Sequence, residues 1–225
     1  MELLFILFKN YAIFEIVTNI KIIDNFLNTE DFNELCSLNL NKINDNSMKV
    51  YNNYIHNNGL IKNTCIENKL ITRLHKNYHS KAINILKELN PEKVNLYEFS
   101  EFHIIHIGKN YKFPIHDDTP TKLLSGVIYL SPKKNSGTFF YDNKKGDNKK
   151  EVNWEQNRGV FFSRKEKKTW HSFQGDGINP RLALVYNLMT KNIKKVCEVE
   201  RSNYFLAKSR YLINPILHKY FKFTI

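Results

Sequence analysis

Between Pro91 and Thr190 the chain is cut into short runs rich in Val, Ile, Tyr and Phe, each closed by Gly, Pro, Asn or Asp. No other feature limits the fold as much. Short β-favouring runs bounded by turn formers read as strands, and a long series of them reads as a sandwich or barrel. Strands are expected near 94–107, 112–118, 123–131, 137–142, 159–163, 168–174 and 181–189. The preceding stretch has a different period: Leu70, Ile71, Leu74, Ile83, Leu86 and Leu89 fall at helical spacing, and Pro91 closes the run. Further upstream, Ile20–Leu27 reads as a strand entering a turn. Thr29 reads as an N-cap, with Glu30 and Asp31 in the first turn of a helix that reaches Leu40. The Asn-rich stretch 41–65 reads as mostly loop, and 191–225 as a C-terminal helix with extended pieces. Helices first and strands afterwards predict an α+β arrangement, with the helices packed on one face of the β core.

The 225 residues suit one structural domain. Within it, 1–92 would form a supporting strand and helices, 93–190 the β core and 191–225 an extension. The formal charge of +12 is spread over scattered lysines and a polar segment, Asp142–Gly159, that holds Lys144, Lys145, Lys149 and Lys150. A solvated basic surface explains this most simply. It favours an acidic substrate slightly and does not make a nucleic-acid stripe. Cys36, Cys65 and Cys197 are odd in number and far apart, which supports neither a disulfide framework nor a zinc site. Reduced thiols in a cytoplasmic protein are the expectation. The apolar run Leu3–Phe8 lacks the basic start of a signal peptide and is too short to span a bilayer, so a buried strand or helix is expected there.

Three pieces carry chemistry. In Phe113-Pro-Ile-His116-Asp117-Asp118, strand parity sends His116 and Asp118 to one face and Asp117 to the other. An imidazole and a carboxylate on one face make half of a 2-His-1-carboxylate metal site. Thr169-Trp170-His171-Ser172-Phe173 places a second imidazole in a strand-like aromatic setting. Pro180-Arg181 opens an apolar strand with a guanidinium that no acid within 178–190 can neutralise. A bound carboxylate would do so in bidentate fashion. Singly, each piece has a plain structural explanation: a solvated strand end, a hydrogen-bonded core histidine, an arginine reaching water. Together, at these spacings, they form a specific pattern.

With the motifs Val127-Ile-Tyr129-Leu130, Ser136-Gly137-Thr138 and Trp170-His171-Ser172 added, the chain over about 94–190 resembles the Fe(II)/2-oxoglutarate-dependent oxygenases, particularly their prolyl 4-hydroxylase-like branch. The resemblance implies a double-stranded β-helix (jelly roll), with His116 and Asp118 on its second core strand, His171 on the seventh and Arg181 on the eighth. It also implies iron held by His116, Asp118 and His171, and 2-oxoglutarate held at its far carboxylate by Arg181 and Tyr129. O2 would be the oxidant and ascorbate a candidate reductant. The implied reaction is hydroxylation of a C–H bond in a protein (prolyl-type) or small-molecule substrate, with release of succinate and CO2. Three departures shape the expectation. Only Thr119–Thr121 separates the metal strand from the next, where peptide-modifying relatives carry a longer loop. Ser136-Gly137 replaces a Gly-Gly pair. Asn187 stands where the DNA-demethylating branch has a second Arg, which argues against base demethylation. A non-catalytic jelly-roll module for a carboxylate or sugar is the alternative of another class.

Overall fold

The computed structural model describes residues 20–221. The Leu3–Phe8 run lies outside the described residues. In chain order the elements are β1 (Ile20–Ile23), α1 (Thr29–Cys36), β2 (Met48–Tyr51), β3 (Tyr54–His56), β4 (Ile61–Lys62), α2 (Asn68–Leu89), a 3-10 turn (Pro91–Leu96) and β5 (Phe99–Ile107). There follow β6 (Lys112–His116), β7 (Lys122–Ser131), β8 (Thr138–Tyr141), β9 (Lys150–Val152), β10 (Gly159–Phe162), β11 (Trp170–Gln174), β12 (Arg181–Met189), α3 (Ile193–Glu200) and α4 (Tyr204–Phe221).

Two antiparallel sheets hold the molecule together. The larger runs β1-β10-β7-β12-β5-β3-β4, with β2 also paired to β5, and the smaller runs β6-β11-β8-β9. From β5 to β12 each step along the chain crosses between the sheets, except for the β8–β9 hairpin. That alternation is a jelly roll of eight core strands, of which β6 is the second, β11 the seventh and β12 the eighth. The loop Gly175–Pro180 makes the last crossing, from the smaller sheet to the larger. Gly177 supplies a positive φ of 81° there, while a Cβ on Gly175 would lie 2.0 Å from the Lys109 carbonyl oxygen.

The outer side of the larger sheet is apolar because its strands alternate. Phe102 and Ile104 of β5, Leu124 and Ile128 of β7, and Leu184 and Leu188 of β12 form one buried cluster with Leu70, Ile71, Leu74, Ile85 and Leu86 of α2. Each such side chain contributes about 1.5–3 kcal/mol on burial. The inward row of β12 (Arg181, Ala183, Val185 and Asn187) lines a cavity between the sheets.

Several local expectations are corrected. The N-cap of α1 is Asn28, whose side chain accepts from the Asp31 amide, so Thr29 is already helical. The stretch 41–65 contains β2, β3 and β4. Its organiser is Asn53, fully buried, whose Nδ2 donates to the Phe102 carbonyl at 3.0 Å and whose Oδ1 accepts from the Thr64 amide at 2.9 Å. An Asn that reads as loop former is here the hub that ties the edge strands to β5. Residues 94–98 belong to the 3-10 turn and the approach to β5. The polar segment 142–159 contains β9, held in register with β8 by Thr138↔Val152 and Phe140↔Lys150. Gly137 matters sterically, since a Cβ there would lie 1.8 Å from the Val152 carbonyl oxygen. The C-terminal extension forms two helices, α3 and α4. Among the described residues, no helix is long and apolar enough to cross a membrane.

Candidate active site

His116 is the last residue of β6, and His171 lies directly opposite it on β11. Their ring centroids are 4.1 Å apart. Asp118 falls two residues past the end of β6, so it is held by side-chain contacts and not by the ladder. One potential ligand atom from each of His116, Asp118 and His171 lies within 4.8 Å of the others. Asp117 points elsewhere: its carboxylate accepts from Thr169 Oγ1 at 2.6 Å and from the Lys167 amide at 2.9 Å. The structure thus separates the two aspartates as strand parity indicates, although the strand itself stops short of both.

The donor set fits a divalent metal. His116 Nδ1 lies 3.0 Å from the Pro114 carbonyl oxygen, and His171 Nδ1 lies 2.8 Å from that of Thr169. A carbonyl can only accept, so each Nδ1 donates a proton to it, which leaves Nε2 as the nitrogen that would face a metal. Burial, followed by the neighbouring His171, pushes the His116 pKa down to about 3, so this imidazole is neutral at physiological pH. Burial works against the Asp118 charge, but Lys122, His171 and His116 outweigh it and hold the carboxyl far below the usual range. Two imidazoles and one carboxylate on one face leave the rest of a coordination sphere open.

Asp118 is fixed on every side. Lys122 Nζ donates to Oδ1 at 2.7 Å and Ser125 Oγ donates to Oδ2 at 2.5 Å. Arg164 Nε donates to its backbone carbonyl at 2.7 Å. Arg164 is itself held in a buried ionic cluster. It pairs with Glu200 of α3, which also accepts from Lys93 Nζ at 2.6 Å. Sequence reading missed all of these partners. Lys122, four residues after Asp118, was the one with a spacing to notice.

Arg181 closes the opposite end of the same cavity, at 1% exposure. Its Nη1 donates to the Ser136 and Gln174 carbonyls at 2.9 and 3.0 Å, and its Nε has no hydrogen-bond partner. The guanidinium lies 4.6 Å from the Trp154 ring centroid and 5.6 Å from that of Phe173. Burial lowers its pKa to about 10, which still leaves it charged at neutral pH. Among the described residues it forms no salt bridge; carbonyls and ring faces surround the buried cation, and Asp176 and Glu151 act on it only from beyond contact distance. That arrangement costs free energy until an anion arrives. Tyr129 is also buried, stacked on Trp154, and its hydroxyl donates to Thr138 Oγ1 at 2.8 Å. Thr138, not Tyr129, lines the cavity. Trp154, hidden in the polar segment before β10, is the cage residue with no sequence signal of its own.

A second pocket opens on the other side of Asp118, between Asp117–Pro120 and α4. Trp170, Lys144, Arg210 and Tyr211 are among its walls, so the C-terminal extension borders the approach to the His/Asp cluster.

No protein-family model matches the chain, and no curated protein does. Solved structures do match. The chain is similar to a prolyl-4-hydroxylase from Pseudomonas putida, with TM-score 0.50, 14% identity and coverage of 80% of this chain and 98% of that one. It is similar to a 2OG-Fe(II) oxygenase family oxidoreductase from Burkholderia pseudomallei, with TM-score 0.53, 14% identity and coverage of 80% and 89%. A third match is a Trichoplax adhaerens prolyl hydroxylase in complex with a hypoxia-inducible-factor degradation-domain peptide, with TM-score 0.52, 13% identity and coverage of 79% and 86%. The fold is therefore that of the 2-oxoglutarate/Fe(II) oxygenases, with prolyl hydroxylases among the neighbours.

Proposed function

We propose that this chain is an Fe(II)- and 2-oxoglutarate-dependent oxygenase that hydroxylates a C–H bond. One observation carries the reading: a single cavity contains both the His116/Asp118/His171 cluster and a buried Arg181 that, among the described residues, forms no salt bridge. A plain metal site has no need of a buried guanidinium, and a plain carboxylate pocket has no need of three converging ligands. A ligand that binds metal at one end and presents a carboxylate at the other uses both.

In this reading His116, Asp118 and His171 hold Fe(II). Arg181 takes the far carboxylate of 2-oxoglutarate, and the Tyr129 hydroxyl supports it through Thr138. Bound iron and 2-oxoglutarate would allow O2 to serve as the oxidant, with one oxygen atom entering the substrate C–H bond and the other the succinate released with CO2. The chain supplies orientation and a dry site. The Nδ1–carbonyl bonds aim both imidazoles, Ser125 and Lys122 fix the carboxylate, and Phe162, Val127 and Ile105 exclude water from the cavity. The substrate enters through the outer pocket beside α4 and is a prolyl-type peptide side chain or a small acidic molecule. Trp170, Tyr211 and Arg210, the last already paired with Glu166, line that pocket.

Anaerobic addition of Fe(II) and 2-oxoglutarate is expected to give a weak visible charge-transfer band that His171→Ala abolishes. Admission of O2 is expected to release succinate. Absence of both the band and succinate would sink the proposal.

A further inference from the structure

The cavity carries positive charge at both ends, and the function proposed above assigns a ligand to only one. Arg181 opens β12; Lys122, near the other end, is paired in register with Met189, the last residue of that strand. The lysine side chain turns back into the cavity to reach Asp118. That contact uses one of three ammonium hydrogens. Among the described residues no other acceptor is within bonding distance, although Glu101 acts on its charge from further away, and the side chain keeps 26% exposure. Beside it Asn187, fully buried and lining the same cavity, gives its Nδ2 to Glu101 at 3.0 Å and leaves Oδ1 without a partner. The unused Lys122 donors thus lie where a ligand on the His/Asp cluster would present its near end, whereas the Asn187 Oδ1, an acceptor, takes no part in holding a carboxylate.

We propose that Lys122 is a second carboxylate anchor, which binds the 2-oxo-acid end of the cosubstrate while Arg181 binds its far carboxylate. The inference rests on the oxygenase reading. Its physical ground is charge balance. Without metal, Asp118 neutralises Lys122. With a dication on Asp118, the ammonium loses much of that partner and faces added positive charge; Glu101, which also acts on it, is already engaged by Asn187 and His103, so a further carboxylate beside Lys122 is favoured. A dicarboxylate meets both cations, whereas a monocarboxylate leaves one uncompensated.

The test is calorimetric titration of protein saturated with Mn(II), using 2-oxoglutarate and 2-oxopentanoate, which lacks the far carboxylate. Lys122→Met is expected to weaken both ligands by a similar factor, about tenfold or more for a lost charge-assisted hydrogen bond. Arg181→Met is expected to weaken 2-oxoglutarate alone. Mn(II) affinity, measured separately, reports how far Lys122 acts only through Asp118. If Lys122→Met binds both acids as the unmodified protein does once Mn(II) is saturating, the second anchor is overturned and Lys122 is a counter-ion of Asp118. If the unmodified protein binds neither acid, the oxygenase reading falls first and takes this inference with it. Should Lys122→Met fail to fold, Lys122→Gln, which keeps a donor toward Asp118 but no charge, serves for the same comparison.

Discussion

Asp117 and Asp118 are adjacent, identical in chemistry and both largely buried, yet their surroundings give them different work. Asp118 meets two imidazoles, an ammonium and a serine hydroxyl; Asp117 meets Thr169, the Lys167 amide and, at 4.0 Å, Arg164. Asp118→Ala is therefore expected to lower Mn(II) affinity by a hundredfold or more. Asp117→Ala is expected to leave it within about tenfold, while costing about 1–3 kcal/mol of stability for the donors left unpaired. Metal titration and denaturant unfolding of the two variants check this, and equal losses of metal would contradict the assignment. The distinction was legible in the sequence because strand parity extends a little past the last ladder bond. The supporting residues were not. Ser125 lies in a run that reads simply as strand, Lys122 reads as a surface lysine, and Trp154 sits in a segment that reads as polar surface. Their roles come from strands that meet only in the fold, and no local pattern encodes such a meeting.

The same contrast holds for elements. The long core strands and α2 were legible because each repeats its period over many residues. The short edge strands were not: β2 buries neither central residue, and β9 has only three residues, so neither leaves an alternation to detect. The extension after β12 was the least legible part, and it is tied most closely to the site. The Glu200 side chain on α3 is 1% exposed and paired with Arg164 and Lys93, and Arg164 holds the Asp118 carbonyl. Removing one member of a buried ionic cluster leaves uncompensated charge, at a cost of about 3–5 kcal/mol. Glu200→Ala should therefore lower the unfolding free energy by about that amount. It should also weaken Mn(II) binding in the protein that remains folded, because the Asp118 backbone loses its brace. Glu200→Gln, which keeps the acceptor oxygen but not the charge, should recover part of the metal affinity. Unfolding curves together with Mn(II) titration test this. A Glu200→Ala protein that is destabilised but binds Mn(II) normally would show that α3 supports the fold and not the site.

For the molecule as a whole, the two sheets enclose one cavity in which a metal at His116/Asp118/His171 and an anion at Arg181 share walls, so their binding should be coupled. A ligand present at a hundred times its dissociation constant stabilises the native state by about 2.7 kcal/mol. For a chain of this size each kcal/mol moves the melting temperature by about 2–4 °C, so a saturating ligand should raise it by about 5–10 °C. Mn(II) alone should give a shift of that order. 2-Oxoglutarate alone should give little, since without the metal Lys122 stays paired with Asp118 and Arg181 is the one anchor left to it. Both together should exceed the sum of the separate shifts. The variants divide the effect: His171→Ala should abolish the metal shift and the synergy, whereas Arg181→Met should keep the metal shift and lose most of the 2-oxoglutarate increment. Thermal unfolding across this grid measures the coupling directly. Strictly additive shifts would mean that the two ligands do not meet, and that the jelly roll holds two separate sites where the geometry joins them in one.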